Sequence, residues 1–246
     1  MGALTACIGV ESFYAIIAVR KYYRELPERS EDPPTYRELW RFGWPVMLMQ
    51  TAESGVAFTA NFFLGRLPRP ELAIAAFGVL DGMLRVLLGP LRNLTPAVQT
   101  LTRDPRDVGV IRRFAMHIAI IFCLAMTAFQ FEAVRLWSLQ TVMGLPADLA
   151  DYISPAIRLG IFLALAMTVA AFFKGVLLSS RRTGAIAVSS GARIIAVAGV
   201  GVAALTWPIE NGAVVGMLAL IAAFSTEAIV LGARVLRLER HPNPAE

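Results

Sequence analysis

The sequence predicts an all-α polytopic membrane protein of about seven transmembrane helices, for three reasons. Hydrophobic residues make up 57% of the chain and charged residues only 17%, with a mean hydropathy of +0.61, too apolar for an ordinary soluble domain. The apolar residues are gathered into runs near or above the ~20 residues that a helix needs to cross a ~30 Å hydrocarbon core. The Lys and Arg residues between those runs fall unevenly in alternate segments, as the positive-inside rule requires of a polytopic chain.

The expected spans are 2–19, 42–64, 72–100, 114–137, 153–178, 183–206 and 212–235. The first is read as a true span and not as a signal peptide, because its cations (Arg20, Lys21, Arg24) follow the apolar run and Glu11 interrupts it. The 20–41 segment, the 103–113 segment, Arg181 with Arg182, and Arg234, Arg237 and Arg240 hold nearly all the interhelical cations; the opposite segments offer only Arg66 and Arg69. Met1 is therefore expected outside and the C-terminus in the cytoplasm, with Trp40 and Trp44 at the inner interface and Trp137 and Trp207 at the outer one. Orientation accounts for the formal charge of +5, so nucleic-acid binding is not needed to explain it.

The 21–40 segment mixes both signs of charge and carries Pro33-Pro34, a helix breaker, so it reads as a cytoplasmic linker. Pro45 then fits the first turn of the second span, where its missing N–H does no harm. That second span holds the central feature of the chain. Glu53 lies roughly 15–18 Å from the Phe42 end, close to the bilayer midplane, where an acidic residue costs about 2.5–3.5 kcal/mol and marks a cavity or bundle interior. Gln50, Glu53, Ser54, Ala57 and Asn61 share one helix face; Met47, Val56 and Phe63 lie opposite, on the face expected to meet lipid.

The third span carries a second polar stripe of Asp81, Arg85, Arg92, Thr95 and Gln99. Asp81 and Arg85 are one turn apart and can pair, which leaves Arg92 as the less compensated charge, available to an anionic substrate. Gly89-Pro90 is expected to kink this helix or free backbone carbonyls. The plainer account is that these charges pair with Glu53 or other helices and only hold the bundle together. Glu132, Arg135 and Arg158 read as interfacial or snorkelling residues without chemistry, and Lys174 as a snorkelling residue that can also line a pathway. Arg193 and Glu227 read as a structural pair across the last two spans, and Gly191, Gly199 and Gly201 as close helix contacts. Cys7 and Cys123 are expected as core filler. With His117 and His241 scattered and no nucleophile motif or phosphate loop, neither an enzyme nor a metal site is expected.

The segments 9–26 and 224–240 each run Glu, apolar residues, then cations, and look like equivalent helices of two repeats. GWPVMLMQTAES, with Pro45 and Glu53 eight residues apart, and FFKGVLLSSRRTGAI at 172–186 complete the pattern. In order and spacing, 36–240 resembles the multidrug and toxic compound extrusion family and its wider superfamily of multidrug, oligosaccharide-lipid and polysaccharide exporters. Members have two six-helix lobes joined by a cytoplasmic loop. The resemblance implies that 1–20 corresponds to the last helix of a first lobe, 21–40 to the joining linker, 41–240 to a six-helix transporter lobe and 241–246 to a cytoplasmic tail. It implies a secondary active transporter, exporter- or flippase-like, in an inner bacterial membrane and working by alternating access. The chain would be incomplete or a half-transporter, pairing with a missing first lobe or a second copy. Glu53 is the implied coupling group, with proton or sodium as the coupling ion and no other cofactor. Gln50, Ser54, Asn61, Asp81, Arg85, Arg92, Gln99 and Lys174 are the candidates to line its cavity. The substrate would be a small molecule or a lipid-linked one, and the arginines leave an anion-handling relative open. The chain departs from the pattern in one respect: 155–178 contains no carboxylate, whereas some members place an essential Asp in that helix. The alternative reading is a non-transporting membrane scaffold or a degenerate transporter fragment.

Overall fold

In a computed structural model the described residues are 2–25, 35–102, 104, 107–180, 184–207 and 209–240. The expectations for Met1, Pro33-Pro34, Arg103, Arg106, Arg181, Arg182, Pro208 and the 241–246 tail lie outside them. Among the described residues there are helices and turns but no strand. The chain divides into two compact units, Met1–Trp40 and Arg41–Glu246.

The first unit holds α1 (Gly2–Glu25) and the start of α2 (Tyr36–Leu64). Helix therefore covers much of the expected linker, and Pro45 falls well inside α2 and not in its first turn. The sequence Thr35-Tyr36-Arg37-Glu38 explains the early start. The Thr35 hydroxyl accepts from the Glu38 N–H at 3.4 Å and the Glu38 carboxylate accepts from the Thr35 N–H at 2.9 Å, a capping box that satisfies two otherwise orphaned donors.

In the second unit the rest of α2 is followed by α3 (Pro70–Leu87), α4 (Gly89–Arg92), α5 (Leu94–Leu101), α6 (Asp107–Thr127), α7 (Glu132–Leu136), α8 (Ala147–Arg158), α9 (Gly160–Ser179), α10 (Gly184–Thr206) and α11 (Gly212–Arg240). A 3₁₀ turn (Ala128–Gln130) and a π-helical turn (Trp137–Val142) flank α7. Among the described residues four helices are long and apolar enough to cross a membrane, and a fifth span results if α3 and α5 count as one bent element. The protein is thus an all-α polytopic membrane protein, although the expected count of about seven is not reached by that measure. The α1 and α2 helices have the length, at 24 and 29 residues, but are not among those four.

Three expected spans are divided, among them 114–137, whose helix α6 ends at Thr127 and gives way through the 3₁₀ turn and an extended Phe131 to α7. The α3–α5 element bends by 67° at the Gly89-Pro90 break foreseen from the sequence. The expected 153–178 helix is two helices, α8 and α9, that meet at Leu159. At the centre stands α9, with 72% of its apolar stretch buried, against 17% for α6 at the periphery. Apolar burial does little to drive helix association in lipid, so close approach by small residues matters. Ala73, Ala76, Ala150, Ala156, Ala164, Ala213 and Ala223 are all fully buried.

Three glycines show the same requirement. A Cβ on Gly175 would lie 2.5 Å from Val98 Cβ and 2.8 Å from the Thr95 carbonyl, so the absence of a side chain there lets α5 lie close against α9. Thr95, assigned to the polar stripe, instead donates its hydroxyl to the Ala171 carbonyl at 3.3 Å. Gly201 admits the Phe63 ring, and Gly216 admits Phe77. Gly191 and Gly199, also expected at close contacts, face open space.

Candidate functional site

A cavity of about 360 Å³ opens between α2, α3, α4, α9, α10 and α11. Six of the candidate residues line it: Gln50, Glu53 and Ser54 from α2, Asp81 and Arg85 from α3, and Arg92 from α4. Three do not. Asn61 lies exposed two turns beyond Glu53 on α2, and Gln99 is exposed on α5, carried off the stripe by the 67° bend. Lys174 is buried in α9 and makes an ion pair there, so it does not snorkel.

The expected lipid face of α2 is also corrected. Its buried seam runs through Ala52, Val56, Ala60 and Leu64 at a spacing of four, so Val56 is core, and Phe63 packs onto Gly201. The polar stripe flanks this seam. Glu53, with a side chain 37% exposed, therefore stands at the rim of the cavity and not in a sealed interior.

The charges form two layers. At the rim, the Arg85 Nε–Asp81 Oδ2 distance is 2.7 Å and the Arg92 Nη1–Glu53 Oε2 distance is 3.8 Å. Both arginine side chains are about half exposed. The first pair is the one foreseen from their spacing. The second is loose, and it is the pairing with Glu53 that the plainer account of these charges allowed.

Beneath them is a triad on three helices. Glu227 on α11 is fully buried, with Oε1 2.7 Å from Lys174 Nζ on α9 and Oε2 3.3 Å from Arg193 Nη1 on α10. The Arg193–Glu227 pair was expected; Lys174 as a third member was not. The two carboxylate oxygens and Arg193 Nε and Nη1 make no well-angled hydrogen bond, so charge more than directed bonding holds the group together. The Arg193 guanidinium also lies over the Phe224 ring, 4.7 Å from its centroid, and both residues line the cavity. Leu84, Leu163, Met167 and Leu220 form an apolar wall beside them.

Two further assignments change. Arg135 is buried, not interfacial: it donates to Ser154 on α8 and to the Phe129 and Gln130 carbonyls at 3.0 and 3.2 Å, tying the 3₁₀ turn to α8. Cys7 is exposed and so is not core filler, whereas Cys123, partly buried, packs against the main core as expected. Asn211 caps α11 by accepting from the Val214 N–H at 3.1 Å while donating to the Tyr152 carbonyl at 2.9 Å. Among the described residues no three His, Cys, Asp or Glu side chains gather as metal ligands would. The chain matches no family model, no curated protein and no solved structure.

Proposed function

We propose that the 41–240 region is a lobe of a secondary active transporter, exporter- or flippase-like, whose cavity alternates between the two faces of a membrane. One observation carries this reading. Glu53, Asp81, Arg85, Arg92 and Arg193, from four separate helices, converge on a single cavity that α9, α10 and α11, three helices long and apolar enough to cross a membrane, also line. Ionisable groups at membrane depth are costly and concentrate along substrate and ion pathways. The order and spacing of 36–240, which resemble the multidrug and toxic compound extrusion family, suggest this reading, and the segregation of Lys and Arg suggests with it an inner-membrane location with the C-terminus in the cytoplasm.

In this reading Glu53 is the coupling group. Desolvation favours the neutral carboxyl and a nearby cation the charged one, so its state follows which surroundings the alternating helices present. Protonation, or a sodium ion on the carboxylate, would release Arg92 from a contact already long at 3.8 Å and change the charge of the cavity by one. The rim charges are partly exposed, so a second lobe or a second copy is expected to cover the open side.

The test is flux into proteoliposomes driven by a proton or sodium gradient. Glu53→Gln should abolish coupled flux while the protein still inserts; unchanged gradient-driven flux would sink the assignment. A non-transporting scaffold is the second reading. It is favoured by one observation, that each of the five cavity charges lies within 4 Å of an opposite charge. A protein that supports no flux of any substrate and whose rim variants change only helix packing would fit it.

A further inference from the structure

We infer that the cavity is a binding site for an amphipathic organic monoanion and that Arg193 is the group that receives its charge. Counting the cavity and the triad behind it, the cations are Arg85, Arg92, Lys174 and Arg193 and the carboxylates are Glu53, Asp81 and Glu227, which leaves one positive charge in excess. Depth locates that excess. The rim pairs balance one to one, whereas in the triad one carboxylate serves two cations.

Burial decides which cation an anion prefers. The Arg193 side chain is 3% exposed, against 47% for Arg92 and 51% for Arg85. A hydrated guanidinium gains little by exchanging water for a carboxylate, while a desolvated one gains a charge-assisted bond it otherwise lacks. Arg193 Nε has no hydrogen-bond partner, and the residue lines the cavity. The remainder of the ligand is dictated by the wall beside it. Phe224, Leu163, Met167 and Leu220 present an apolar surface, and 360 Å³ lies at the small end of ligand pockets, suited to a bicyclic acid. The inference deepens the transport reading by naming its substrate class, and rests on that reading only for the claim that the anion is cargo.

The experiment is equilibrium binding of 2-naphthoate to the purified protein in phosphatidylcholine nanodiscs, with 2-naphthamide and 2-naphthylmethylammonium as neutral and cationic isosteres. Naphthoate should bind about tenfold or more tighter than the amide, with the cation weakest. Arg193→Gln should remove that preference, whereas Arg85→Gln should change it less than about threefold, because a rim charge is screened by water. Lys174→Met abolishes the excess charge yet leaves Arg193 paired with Glu227. It should weaken naphthoate by about fivefold with the amide unchanged, and it decides the matter where Arg193→Gln does not fold.

Three outcomes overturn the inference: no measurable naphthoate binding, equal affinity for acid and amide, or naphthoate affinity indifferent to Lys174→Met. Competition by phosphatidylglycerol nanodiscs would support the same anion site with a lipid headgroup as its natural source, and its absence a free organic acid. Naphthoate binding without flux in proteoliposomes sinks the transport reading and leaves the site; flux without preference for the acid does the reverse.

Discussion

Removing the Glu227 carboxylate should cost more than removing either cation it serves. Its oxygens lie 2.7 Å from Lys174 Nζ and 3.3 Å from Arg193 Nη1, gross attractions of about 6 and 5 kcal/mol at an effective dielectric constant near 20. Desolvating three ions offsets most of that gain, so the triad as a whole stabilises the fold little. Taking away the carboxylate alone is another matter. Glu227→Gln strands two buried cations beside each other, and breaking a buried pair in this way costs about 3–5 kcal/mol.

Lys174→Met leaves a neutral Arg193–Glu227 pair and substitutes a side chain of similar length, so its cost should stay within about 1.5 kcal/mol. Arg193→Met falls between, since it also removes the guanidinium from the face of Phe224, a contact of about 0.5–2 kcal/mol. The assay is the unfolding midpoint in detergent, followed by tryptophan fluorescence. At roughly 2–4 °C per kcal/mol for a chain of this size, Glu227→Gln should lower it by about 6–20 °C and Lys174→Met by no more than about 6 °C. The double variant gives the sign of the coupling. Adding Lys174→Met to Glu227→Gln removes one of the two stranded cations and should recover part of the loss. A Glu227→Gln shift below about 2 °C, or a double variant less stable than Glu227→Gln alone, would refute the reasoning.

Other substitutions test other joints of the fold. Gly175→Ala places a methyl against the Thr95 carbonyl and Val98; overpacking there should cost about 1–3 kcal/mol, whereas Gly191→Ala and Gly199→Ala, facing open space, should be neutral by the same midpoint. Arg135→Met withdraws donors from Phe129 O, Gln130 O and Ser154 and should cost about 2–4 kcal/mol, with faster hydrogen exchange at Phe131 and Arg135 where the 3₁₀ turn joins α7. The bonds from Thr35, the backbone one first, hold the Glu38 carboxyl below its ordinary value of 4.5. The contribution of this cap is therefore complete above about pH 4.5 and is lost as pH falls through the depressed value, so exchange at Glu38 and Leu39 should rise only in that acid range and Glu38→Gln should flatten the rise.

How far the molecule could be read beforehand follows from what a helical wheel contains. It fixes azimuths within one helix, so the stripe of Gln50, Glu53 and Ser54, the Asp81–Arg85 pair and the break at Gly89-Pro90 were all legible. It does not say which azimuth a neighbour occupies. For that reason Val56 and Phe63 were turned toward lipid when they are packed, and Lys174 was sent to an interface when Glu227 lies opposite it on another helix. A wheel also presumes a straight axis, and the bend after Leu87 puts Gln99 on a different axis from Asp81 and Arg85. One miss was avoidable. Thr35-x-x-Glu38 is a helix-start signature in plain sight, outweighed by the charged, proline-containing composition around it.

The layering of charge has a consequence for how such a cavity could work. A rim pair at 3.8 Å between side chains 37% and 47% exposed is worth at most about 1 kcal/mol, so water, a proton or a substrate can part Glu53 from Arg92 with little effect on the fold. The triad beneath cannot be opened so cheaply, since each of its members would be left charged in a site of less than 10% exposure. A group that changes partner during each cycle belongs in the first layer, and a group that must offer the same field throughout belongs in the second. On the proposed transport reading, Glu53 would be the switch and Arg193 the fixed anchor. That order separates the two by assay: Glu53→Gln should alter the pH or sodium dependence of flux with naphthoate affinity changed less than about threefold, and Lys174→Met should alter naphthoate affinity with that dependence intact.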